Sequence, residues 1–167
     1  MSLLNYISMM RFEMFALGVI VLLLLVKIFS EKLNVFLILG LVNFSLLAIL
    51  AVSFIGHPHG NIFGGMFLND GTVMLEKQII TFATLLIFLQ ANYWLKSQEN
   101  FLEFCLLLFS VLMGMYFLLS SGNFLMFYLG LEMATIPLAA LAAFDFGRVR
   151  SAEGAGKMIL SSAFSSA

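Results

Sequence analysis

The sequence predicts an all-α polytopic membrane protein, and three observations carry the prediction. The 167 residues are 62% hydrophobic and only 10% charged, with a mean hydropathy of +1.08, whereas water-soluble domains are about half apolar and a quarter charged. The apolar residues fall into runs close to the length of helix, about 20 residues, that crosses a hydrocarbon core about 30 Å thick. The runs are also too long for strands and do not alternate, and an open sheet cannot satisfy its edge in lipid. The lipid bilayer is therefore the solvent of this chain. A net charge of −1 argues against nucleic acid as a partner.

One membrane domain is expected over 1–167, with five spans and the start of a sixth. The first covers 12–29, with Glu13 and Lys27 reaching from its ends toward the head groups. The preceding MSLLNYISMMRFEMF has neither a basic leader nor a small-residue cleavage site behind the first apolar run, so this span reads as a retained anchor. The second, 33–54, is uncharged. The third, 78–95, opens beside Glu76 and Lys77 and closes on Tyr93 and Trp94, which suit an interfacial aromatic belt. The fourth covers 101–119, with Glu103 near its interfacial end, and the fifth covers 123–143. An incomplete sixth opens near 152. From Met158 only ten residues remain, about 15 Å of helix. Ending there would leave helix carbonyls unsatisfied in hydrocarbon. The expectation is that the chain is the front part of a longer one, or that a partner chain completes it.

Charge sets the expected orientation. Arg11 is the basic residue of the N-terminal face, while Lys27, Lys32, Lys96, Arg148, Arg150 and Lys157 fall at the opposite face if the spans alternate, Lys77 being left aside. The basic face is cytoplasmic. The N-terminus is then expected on the outer or periplasmic side.

Between the second and third spans runs IGHPHGNIFGGMFLNDGTVM. His57 and His59 are close in sequence, but no cysteine is near and Asp70 is the single loop carboxylate, so a solvated turn fixed by Pro58 is the better reading and no metal site is expected. Gly60, Gly64 and Gly65 lack the Gly-Lys-Ser/Thr of a phosphate loop. Cys105, the single cysteine, lies in an apolar run and has no intrachain disulfide partner.

Ionisable groups within the spans are the informative class, because hydrocarbon charges about 3 kcal/mol for each on insertion scales. Glu132 is the clearest case, eight residues past Phe124, or about 12 Å into the helix. Pro137 leaves the Met133 carbonyl without its helical donor, a foothold for water beside the carboxyl. Tyr128 and Thr135 share the face of Glu132 and can hydrogen-bond. The group reads as a proton relay, with a protonated carboxyl bridging helices as the plainer alternative. Glu153 and Lys157 lie four apart, acid first, at the start of the sixth span, with Ser151 placed to cap it. They form either a helix-start ion pair or a relay at the cytosolic end. For Lys77 and its neighbours Thr81, Thr84, Gln90 and Asn92, a polar axis and ordinary interhelix packing stay equally open.

Three stretches, IFGGMFLNDGTVMLEKQI (62–79), NFLMFYLGLEMATIPLAALAAF (123–144) and SAEGAGKMILSSAFSSA (151–167), resemble the subunit N family of proton-translocating NADH–quinone oxidoreductases, respiratory complex I. Residues 1–61 fit by span count alone. The resemblance implies the N-terminal part of an antiporter-like bundle of transmembrane helices. It implies that Glu132 is the relay glutamate of the fifth span, working with a lysine beyond Ala167, and that Glu153 and Lys157 are the acid and lysine opening the sixth. It implies that this chain holds no cofactor, with flavin, iron–sulfur clusters and quinone in partner subunits, and that its partners are the other membrane-arm subunits. Two positions depart from the pattern: Ala134 stands where a serine is common, and Gly154 where an alanine is usual. Neither removes an ionisable group. A cation/proton antiporter subunit of related fold and a purely structural scaffold are the competing readings.

Overall fold

A computed structural model of the chain describes residues 3–29, 34–54, 59–98, 100–145 and 149–166. Seven helices run through these residues: α1 Leu3–Met9, α2 Arg11–Phe29, α3 Val35–Ser53, α4 Gly71–Leu95, α5 Phe101–Leu119, α6 Phe124–Ala142 and α7 Val149–Ser166. Five of them, α2 to α6, are long and apolar enough to cross a membrane. The chain is thus an all-α polytopic membrane protein.

Short polar residues start two of these helices. The Asn34 side chain accepts from the Phe36 amide at 3.2 Å, and Asn123 accepts from Met126 at 2.9 Å. Each supplies an acceptor to a first-turn N–H that the helix itself cannot bond. Inside the bundle α2 packs on α5 and α3, and α4 packs on α3 and α5. Leu23, Leu46, Phe88, Phe109, Leu112 and Tyr116 are buried at its centre. Phe29, Phe36, Phe44 and Phe124 stand outward and exposed. Apolar residues on every side mark a helix whose outer face meets lipid.

Helix α6 leans on α5, and α7 on α6. The α5–α6 contact is a seam of small residues. A side-chain carbon on Gly114 would strike the backbone at Met133 and Ala134, and one on Gly130 would strike Leu118 and Phe117. Four residues forward on one helix match four back on the other, as antiparallel helices require. In lipid such close backbone approach replaces the hydrophobic drive that water would supply.

Three boundaries differ from the sequence expectation. Helix α4 begins at Gly71, not 78, so Glu76 and Lys77 lie within it. The described segment before it forms a hairpin, which the sequence reading did not give. Strands β1 Gly60–Ile62 and β2 Phe67–Asn69 pair antiparallel around a 3-10 turn at Phe63–Gly65. Phe63, Gly64 and Gly65 have φ of 54°, 66° and 90°, so the two glycines relieve most of the left-handed strain. The hairpin docks through Leu68 N–H to the Ser120 carbonyl at 2.8 Å and Gly122 N–H to the Met66 carbonyl at 2.7 Å. Ile62 and Phe67 are buried against Met9. His57 and Pro58 lie outside the described residues. Third, Ser151 sits inside α7 and is not its cap; its hydroxyl donates to the Ala142 carbonyl at 2.5 Å, tying α7 to the end of α6.

Candidate functional site

Helix α6 carries Glu132 in its middle, and α7 lies alongside. Between them opens a cleft of about 330 Å³, lined by Tyr128, Glu132, Thr135 and Ile136 of α6 and Ile159, Ser162 and Ala163 of α7. Tyr128, Glu132 and Thr135 share one face because they sit four and three residues apart. Glu132 is half-buried there. The Thr135 hydroxyl leans toward the Glu132 main-chain carbonyl at 3.4 Å, which leaves the carboxyl to the cleft. Pro137 lies inside the continuous helix α6. A carboxyl beside hydroxyls, in a cleft wide enough for water, can accept and pass a proton.

Glu153 and Lys157 form an ion pair at 2.5 Å on one face of α7, with side chains 59% and 74% exposed. Lys157 lies two residues before the cleft residue Ile159, about 3 Å along the axis. Neither Glu153 nor Lys157 lines the Glu132 cleft; all three lie on the two packed helices α6 and α7. At the other edge of the bundle, Lys27 meets Glu103 at 2.8 Å, joining the end of α2 to the start of α5. Lys32 and Arg148, counted for orientation, lie outside the described residues.

A second site lies at the N-terminal face, where the sequence left Lys77 and Thr81 open as a polar axis but did not give the partner of Lys77. Glu13 does not reach for the head groups. It is 2% exposed and accepts from Lys77, which is fully buried, at 2.6 Å. The Lys77 ammonium also lies 5.6 Å from the centre of the Phe12 ring and 4.9 Å from that of Phe67. One turn further along α4, the Thr81 hydroxyl donates to the Lys77 carbonyl at 2.6 Å and contacts the Tyr116 hydroxyl at 2.6 Å. Arg11 donates to the Ser53 carbonyl at 3.1 Å, at the end of α3, where a cation suits the helix dipole. The signal in the sequence was Asp70-Gly71. Asp70 occupies the N-cap position of α4 without a side-chain capping bond, and a start at Gly71 carries Lys77 six residues, about 9 Å, into the helix.

The chain is similar in sequence to curated relatives. NADH-quinone oxidoreductase subunit N of Phocaeicola vulgatus is 48% identical over 108 residues, covering 63% of this chain and 23% of the relative. The same subunit of Ruthia magnifica subsp. Calyptogena magnifica is 34% identical over 158 residues, covering 92% of this chain and 32% of the relative. The chain resembles subunit N of NADH-quinone oxidoreductase. The counterpart in Azobacteroides pseudotrichonymphae repeats the likeness at 46% identity over 65% of this chain. No family model matches. The chain spans about a quarter to a third of the length of these subunit N relatives.

Proposed function

We propose that the chain is the N-terminal part of a membrane subunit of an NADH–quinone oxidoreductase, and that its buried carboxyl and amine groups carry protons coupled to electron transfer. The observation that carries this reading is Glu132, a half-buried carboxyl in a membrane helix, open to a cleft with Tyr128, Thr135 and Ser162. The 34–48% identity to subunit N supports the assignment to the complex. Glu132 acts as the proton relay, and the exposed Glu153–Lys157 pair as the relay that feeds it from the basic, cytoplasmic face. A carboxyl held in hydrocarbon has two states of very different cost, and a neighbouring cation or water decides between them. Moving that neighbour moves the proton.

The redox groups belong to other subunits. Flavin, iron–sulfur clusters and quinone are placed in partner subunits of the complex, with the other membrane-arm subunits as this chain's neighbours in a bacterial inner membrane.

The test is Glu132→Gln in the intact complex, in inverted membrane vesicles, with NADH oxidation and lumen acidification recorded together. Both are expected to fall, by roughly a hundredfold if the carboxyl is obligatory for proton transfer. Full retention of both in an assembled complex makes Glu132 a packing residue, and the scaffold reading then replaces this one.

A further inference from the structure

The Glu13–Lys77 pair is the most deeply buried charged group among the described residues, and the relay through Glu132 does not use it. Ion pairs that serve only to hold helices together satisfy both carboxylate oxygens, because an unmade bond to a buried charge is costly. Here Oε1 of Glu13 takes the Lys77 ammonium, while Oε2 is buried with no hydrogen-bond partner. The cation is a lysine, which can give up its proton; an arginine cannot. Two aromatic rings hold the ammonium from other sides, Phe12 from α2 and Phe67 from the hairpin, and so compete with the carboxylate for it.

The walls are chosen in the same sense. With the Thr81 hydroxyl donated to the Lys77 carbonyl, the Tyr116 hydroxyl donates to Thr81. The Ser120 hydroxyl, at the end of α5 where the hairpin docks, is also buried without a hydrogen-bond partner. Above them the hairpin is the roof, fixed to the 120–122 turn by two main-chain bonds. Arg11 is the other charged group facing this region from α2, and it is occupied by the Ser53 carbonyl.

We propose that Glu13 and Lys77 form a second proton-exchange site at the N-terminal face, with Glu13 Oε2 the atom that trades protons with water under the hairpin. The proposal rests on the proton-carrying function argued above. A proton passes from the Lys77 ammonium to the Glu13 carboxylate, leaving a neutral amine and a neutral acid with the pair's net charge unchanged at zero. The acid then loses its proton to water at the N-terminal face, and the amine takes one from the protein interior. The ion pair is restored, one proton has crossed it, and no other bond has changed. The ligand is thus water and its proton.

The experiment is Glu13→Gln/Lys77→Met in the intact complex, with Glu132→Gln in parallel, in inverted vesicles. Neutral side chains of similar size can replace a buried ion pair without loss of fold. The expected result is a complex assembled at the normal level whose proton flux falls by roughly tenfold or more. Unchanged flux overturns the proposal, and if Glu132→Gln abolishes flux at the same time, the function proposed above still stands. Unchanged flux in both variants removes both. A second measurement needs no variant. A membrane-permeant carbodiimide reacts with protonated carboxyls, so the unsubstituted complex turning over NADH is expected to carry the label on Glu13, mapped by peptide mass spectrometry. A Glu13 that stays unlabelled during turnover is a permanent carboxylate and overturns the proposal.

Discussion

Lys77 shows how much one side chain can hold in this chain. Its ammonium is fully buried and has one acidic partner, Glu13. Lys77→Met alone leaves that carboxylate buried and unpaired, a loss of about 3–5 kcal/mol. The expected outcome is a lowered midpoint in thermal unfolding of the detergent-solubilised protein. Glu13→Gln in the same chain should restore most of it, since the two effects couple strongly; additive losses would show that the pair does not interact. Lys157 is the contrast. Its partner lies on the same helix and both are exposed, so Lys157→Ala should cost only about 0.3–0.5 kcal/mol. A large drop in proton flux with an unchanged melt would assign Lys157 to proton delivery.

Between elements, the α5–α6 seam sets where Glu132 can be. Gly114 and Gly130 let two backbones approach, and Ala134 continues the face. Gly114→Val inserts branched carbons where the main chain of α6 already lies. Overpacking of this kind costs about 1–3 kcal/mol, and the helices must move apart or slide. The prediction is reduced assembly and, in what assembles, reduced proton flux, because α6 carries the cleft. Normal assembly and flux in Gly114→Val would show that the seam tolerates a shift. The hairpin plays the matching part at the N-terminal face, where Phe67 joins the main-chain docking to the cation it covers.

At the scale of the whole chain, the spans put α1, the 60–69 hairpin and the 120–122 turn at one face, and the Lys27–Glu103 pair, Lys96 and the start of α7 at the other. Cysteine substitution tests this directly. Cys105 is buried and should stay silent to a membrane-impermeant thiol reagent. Asn61→Cys in the exposed part of the hairpin should be labelled from the outer side of intact cells, and Ser97→Cys only after the inner face is opened. Labelling of both from one side would contradict alternating spans. Lys77, set aside in the charge count, belongs to the N-terminal face, but Glu13 neutralises it there, so the excess of basic residues on the opposite face is kept.

Apolar run length by itself determined the five spans, because in lipid a helix must satisfy its own backbone and its length is fixed by the bilayer. It placed the ends of α2, α3, α5 and α6 to within about two residues, the ordinary uncertainty of helix ends, and it singled out Glu132 because a carboxyl in an apolar run stands out. Residues with a local partner were equally legible: Glu153 and Lys157 four apart on one helix, and Tyr128 and Thr135 on the face of Glu132. Only the tertiary structure decided what the non-local partners would be. Glu13 and Lys77 are 64 residues apart; Glu13 read as an interfacial charge and Lys77 as either part of a polar axis or a packing contact, until the bundle brought the starts of α2 and α4 to the same face. The same holds for the hairpin, whose strands are too short to show a pattern and form because the 120–122 turn offers them bonds. Hydropathy records what each residue does in lipid or water; the pairing of two buried charges depends on how the helices pack, here α2 and α4 both against α3 and α5.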